Sequence, residues 1–234
     1  MTPAPERISV WTYEDLGLLL GAILPCLLIS SLLERLGQMA APGIFASQAL
    51  QNLTYQSWLY LLLLGTLYLL AVKRHQQPLW RSLGWTTTFT GAWWCVLLAP
   101  VLAIAVSAAG TLLRAPLIPT PAEQLLAGQV SLIAVGVFST VIGPIFEELL
   151  FRGFLQPLLT QSVIPTAAVM LTALPFALLH GSQYQWSRQH VVLVFAAGCA
   201  FGVVRQRTGS TAGSALIHMG YNLTLFVVFV SQQA

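Results

Sequence analysis

Apolar residues run along this chain in long stretches that few polar turns interrupt, at about 16–33, 53–72, 89–112, 130–159, 165–181, 190–205 and 211–231. Several of these runs approach or exceed the ~18 to 20 residues that a helix needs to cross hydrocarbon. Gly37, Pro42 and Gly43 mark a loop between the first two, and Arg114 to Gly128, with three prolines, marks another between the third and fourth. The pattern predicts an all-α, polytopic membrane helix bundle of about seven or eight transmembrane helices. Residues 1–128 would hold three spans and their loops, and residues 129–234 a four-helix membrane core.

Composition names the solvent. With 56% hydrophobic residues, 7% charged residues and a mean hydropathy of +0.77 over 234 residues, the chain has too few charges to cover a water-facing surface, where roughly 25% is usual. The lipid bilayer is therefore its first partner, and no separate soluble domain fits. Glu6, Arg7, Glu14 and Asp15 precede the first run and no small-residue cleavage site follows it, so the first helix is expected to stay as an anchor. The formal charge of +3 is spread over loops rather than gathered into a stripe, which argues against nucleic acid.

If every run crosses once, Lys73, Arg74, Arg81, Arg205 and Arg207 fall on one side with Arg7, and Arg35, Arg114 and Arg188 on the other. The first side is then cytoplasmic. Trp80, Trp85, Trp93 and Trp94 lie near span ends, as interfacial aromatics do. Cys26, Cys95 and Cys199 sit inside apolar runs and read as small core residues.

The polar residues within the runs carry the chemistry. A fourth helix ending at Glu147-Glu148 would leave both carboxylates at the surface, but apolar residues continue past Arg152 to the polar turn at Thr160 to Ser162. The glutamates are then at membrane depth, where an acidic residue costs on the order of 3 kcal/mol and is functional by default. Adjacent helical residues point about 100° apart, so the two differ in role. Glu148 and Arg152 stand at i, i+4 and neutralise each other as structural support. Gly143-Pro144 is expected to kink the helix and open space beside Glu147.

His180 ends the fifth run, and the midpoint between it and Glu147 falls at Val163-Ile164, inside the turn. An antiparallel hairpin therefore sets the two side chains level, roughly 20 to 25 Å from the turn. His218 and Asn222 share one face of the last run at i, i+4, at about 14 and 20 Å from the Arg205–Gly209 turn. All four side chains are expected near one level.

A buried carboxylate with two imidazoles and an amide can take a proton from water and direct the nucleophile at a carbonyl. Glu147 would be the base and His180 would position the water or shuttle its proton. His218 and Asn222 would donate to the oxyanion. The same residue types also suit a divalent metal such as zinc, held by Glu147, His180 and His218 with one position left for water. No H-E-x-x-H pair supplies that reading's local signature, and both schemes, with and without metal, stay open. No serine nucleophile stands out: Ser210 and Ser214 lie in a turn or helix start and read as caps.

Glu147-Glu148-Leu-Leu-Phe-Arg152-Gly153, then Phe176-Ala-Leu-Leu-His180, then Arg207-Thr-Gly-Ser210 with His218-Met-Gly-Tyr-Asn222, resemble the three signatures of the CPBP family of intramembrane endopeptidases. That family includes the type II CAAX prenyl proteases and bacterial relatives, some linked to bacteriocin self-immunity. The resemblance covers about residues 130–225. It implies that Glu147 and His180 activate water, that His218 and Asn222 stabilise the oxyanion, and that Glu148 with Arg152 braces the fold. It also implies cleavage near the C-terminus of a membrane-associated protein or peptide, in a multi-pass protein of a bacterial inner membrane. It fixes neither a prenylated substrate, nor a metal, nor an oligomeric state.

Two other classes compete. A non-catalytic scaffold or immunity protein would keep the fold and only bind a partner, against which all four proposed positions are filled. A proton-coupled transporter would also bury Glu and His, but no inverted repeat or paired interrupted span is evident.

Overall fold

A computed structural model describes residues 9–43, 45, 47–87, 92–118 and 129–232. Arg7, residues 89–91 of the third expected span and residues 119–128 of the second expected loop lie outside them. The described residues form eight helices and no strand, so the all-α membrane bundle expected from the sequence is the architecture found. In chain order they are α1 (Tyr13–Ala40), α2 (Gln48–Arg74), α3 (Leu79–Ser82), α4 (Ala92–Leu112), α5 (residues 129–159), α6 (Pro165–Leu179), α7 (Arg188–Thr208) and α8 (Thr211–Ser231). Six of them are long and apolar enough to cross a membrane, and α6 is a shorter apolar helix of 15 residues. This is an integral, multi-pass membrane protein.

Two boundaries differ from the expected ones. Gly37, read as loop, lies within α1, where the Phe45 ring packs against its bare Cα and a Cβ would meet that ring at 2.8 Å. The one-turn α3 after α2 was too short to leave a periodic signal.

Large apolar side chains such as Leu18, Leu24, Leu28, Leu97, Ile104 and Val192 point outward, while Glu148, Arg152, Gln156, Ser214 and His218 are buried. Against lipid, burying leucine gains nothing, so helices associate through close approach and hydrogen bonds. Both devices are present. A Cβ on Gly220 of α8 would sit 2.6 Å from the Ala99 Cβ of α4. On α7, Gly198 and Gly202 lie one turn apart, and a Cβ on Gly202 would come within 2.9 Å of the Val169 side chain of α6. The same two glycines expose their carbonyls to α5: Arg152 donates to Gly198 O at 2.6 Å and Gln156 to Gly202 O at 3.0 Å.

One end of the bundle is bound together by polar contacts. Trp11 Nε1 lies 3.1 Å from both Ser82 O and Gly153 O. Arg74 pairs with Glu14 and Asp15, and His75 with Asp15 at 2.7 Å. Thr211 donates to Leu83 O at 2.6 Å and to Gly84 O at 3.0 Å, and Gly84 holds a left-handed φ of 63°. This end gathers the start of α1, the ends of α2, α5 and α7, and the start of α8. Cys26, Cys95 and Cys199 are free.

Candidate active site

The site is built around an irregular stretch of α5. The segments Phe138–Ile142 and Leu149–Leu155 are π-helical and flank an α-helical turn, Gly143–Glu148. Such wide turns recur at functional sites because they re-aim side chains within a continuous helix. Their origin is visible in the sequence. Gly143 donates to Phe138 O in the wide register, so the next carbonyl, Ser139 O, would receive the N–H of residue 144, which is proline and has none. Asn222 of α8 supplies the missing donor, its Nδ2 lying 2.8 Å from Ser139 O. The expected disturbance at Gly143-Pro144 is thus a π segment just upstream of the proline, bridged to α8 by an amide.

Glu147 and Glu148 point apart as adjacent helical positions must. Glu148 is fully buried and accepts from Arg152 at 2.7 Å, Ser214 at 2.6 Å and His218 Nδ1 at 3.0 Å. Ser214, read above as a cap, is inside α8 and buttresses this carboxylate; the cap is Ser210, which accepts from Gly213 N. Arg152 Nε finds no hydrogen-bond acceptor among the described residues, but the Phe176 ring lies 4.7 Å from the guanidinium carbon, with Phe201 and Phe151 at 5.5 and 5.9 Å. Aromatic faces there stabilise the charge. Glu148 therefore does more than brace Arg152: it fixes the ring of His218.

Glu147 stands on the other side of that ring. Its Oε2 lies 3.9 Å from His180 Nε2 and 3.9 Å from His218 Nε2. Its Oε1 accepts from the Tyr60 hydroxyl of α2 at 3.2 Å. Hydrogen-bond logic assigns the histidine tautomers. His180 Nδ1 lies 2.8 Å from Phe176 O, which can only accept, so Nδ1 carries the proton. His218 Nδ1 faces Glu148, again an acceptor. With Nδ1 protonated, each ring turns its Nε2 towards Glu147. Separations of 3.9 Å are too long for direct hydrogen bonds and suit a bridging water. Phe201 stacks on His218 at 4.3 Å and Phe176 lies 4.6 Å from His180, holding the rings in place. Glu147 and His180 keep 19% and 21% of their side-chain surface exposed against 4% for His218, so the approach is over the Glu147–His180 side.

Residues 129–224 match the family model described as type II CAAX prenyl endopeptidase Rce1-like. That stretch is similar to the CPBP/CAAX protease family. No curated protein and no solved structure matches the chain. The matched region resembles a family of intramembrane CAAX-type proteases. It holds Glu147, Glu148, Arg152, His180, His218 and Asn222, and the match ends within α8.

Glu147, His180 and His218 of the matched region meet at one point, whereas Asn222 does not join them directly. Its amide reaches the π segment instead, because a residue one helical turn beyond His218 lies ~6 Å further along the axis. Level placement of all four side chains was therefore too simple an expectation. Tyr60 escaped the sequence reading: it lies outside the matched region, and nothing local distinguishes it from an interfacial tyrosine.

Zinc bound to imidazole and carboxylate at ~2.0 to 2.2 Å brings its ligand atoms within ~3.4 Å of one another. The two Oε2–Nε2 separations of 3.9 Å are wider, and no three His, Cys, Asp or Glu among the described residues are grouped to hold an ion. At these separations the three side chains are not set as metal ligands, and the steps proposed for the site involve only the chain and water.

Proposed function

We propose that the chain is an intramembrane endopeptidase that hydrolyses a peptide bond near the C-terminus of a membrane-associated protein or peptide. The observation carrying this reading is that Glu147 Oε2 is equidistant from two imidazole Nε2 atoms whose tautomers are set from behind.

A water touching Oε2 and His180 Nε2 gives its proton to Glu147 as its oxygen adds to the scissile carbonyl carbon. The carbonyl oxygen becomes an oxyanion on the side of His218 and Asn222. Asn222 uses one amide hydrogen on Ser139 O and keeps the second for that oxygen. His218 can donate from Nε2 only as an imidazolium, since its Nδ1 proton is committed to Glu148. When the intermediate collapses, the carbon–nitrogen bond breaks and the proton held by Glu147 or His180 passes to the leaving amine. Burial of the reacting groups strengthens each of these interactions relative to water.

The test uses the purified full chain in detergent with membrane-anchored peptides, prenylated and unprenylated, and mass spectrometry of the products. Cleavage at a single internal bond, unchanged by a strong chelator, supports the reading. Cleavage abolished by the chelator and restored by zinc replaces the metal-free water activation with a metal route. No cleavage in any arm favours a binding scaffold with the same fold.

A further inference from the structure

The function above makes no use of Tyr60, yet this side chain is placed with more care than a lipid-facing tyrosine requires. Its ring lies between two rings of α5, at 6.0 Å from Phe138 with a 6° interplanar angle and at 5.1 Å from Phe146 with 16°. Its hydroxyl oxygen accepts from Gln56 Nε2, one turn earlier on α2, at 2.9 Å. With that lone pair engaged, the single hydroxyl hydrogen points at Glu147 Oε1, 3.2 Å away. The ring stacking fixes where the phenol sits, and Gln56 fixes which way its hydrogen turns.

A glutamate side chain has three rotatable bonds and two equivalent oxygens, and either oxygen of a free Glu147 could face the imidazoles. Only Oε2 does so here, because Oε1 is held from α2. We propose that Tyr60 is a positioning residue for Glu147, tying Oε1 so that Oε2 alone serves as the base. The proposal rests on the reading of Glu147 as base. It also gives the N-terminal helices, which lie outside residues 129–224, a part in the reaction.

Tyr60→Phe keeps both stacked rings and removes one hydroxyl, so packing and the hydroxyl's action on Glu147 separate cleanly. Loss of a hydrogen bond to a charged group predicts roughly a tenfold to hundredfold fall in kcat, with KM within about twofold and an unchanged melting temperature. Gln56→Leu, which frees the hydroxyl to rotate, should lower kcat less. The double variant should match Tyr60→Phe alone, since both changes act through one bond. A Tyr60→Phe protein with wild-type kcat, beside an inactive Glu147→Gln, overturns the role of Tyr60 and leaves the base assignment standing. A loss that appears in KM or in melting temperature instead of kcat overturns it as well. A fully active Glu147→Gln overturns the underlying reading.

Discussion

Removing Glu148 would strand three side chains at once. Arg152, Ser214 and His218 all point at its carboxylate, and Glu148 and Arg152 have no exposed surface. Breaking a buried ion pair costs ~3 to 5 kcal/mol because the remaining charge is uncompensated. Glu148→Ala and Arg152→Ala are therefore expected to lower folded yield and melting temperature in detergent, whereas Glu147→Ala keeps both. Size-exclusion profiles and thermal melts of the three variants check this, and equal yields would contradict it. The pairing of Glu148 with Arg152 was readable from i, i+4 spacing alone. Its hold on His218 was not, because the partners are 70 residues apart and meet only once α8 packs on α5. Tyr60 was hidden for the same reason at a separation of 87 residues.

The irregular part of α5 owes its shape to one missing donor. Pro144 cannot serve Ser139 O, and Asn222 does so from another helix. The two residues should therefore be coupled in stability although their backbones belong to different elements. Asn222→Leu leaves that carbonyl unpaired and is expected to destabilise the protein by ~1 to 3 kcal/mol. In a Pro144→Ala background, where the helix regains an N–H, the same change should cost measurably less. A double-mutant cycle of melting or denaturant midpoints reads the difference, and strict additivity would show that Asn222 does not cap the π segment. The sequence announced a disturbance at Gly143-Pro144, since proline cannot continue the ladder. That the disturbance would be two π segments around a regular turn depends on which carbonyls find outside partners, which only the packed bundle decides.

Across the whole molecule, the run-length pattern was enough to give the fold class, because a bilayer admits few solutions for so apolar a chain. Helix ends were less legible: α1 runs on past Gly37 because Gly37 and Phe45 pack together. The polar end formed by Trp11, Arg74, Ser82, Gly153 and Thr211 also collects Arg81, Arg205 and Arg207, so it is expected to face the cytoplasm. Single cysteines placed at Gln76 and Leu117 in a cysteine-free background should then label on opposite sides. A membrane-impermeant maleimide should reach Leu117→Cys in intact cells and Gln76→Cys only after permeabilisation. Labelling of both from one side would contradict the crossing pattern. That pattern matters because it brings α5, α6 and α8 together with one carboxylate oxygen between two imidazoles. The most direct test of that convergence is the turnover number of Glu147→Gln against wild type on a peptide the wild-type protein cleaves. The amide preserves shape and cannot take a proton, so kcat should fall by roughly 10² to 10⁴ with the melting temperature unchanged. Turnover within about threefold of wild type would mean that the water is activated elsewhere.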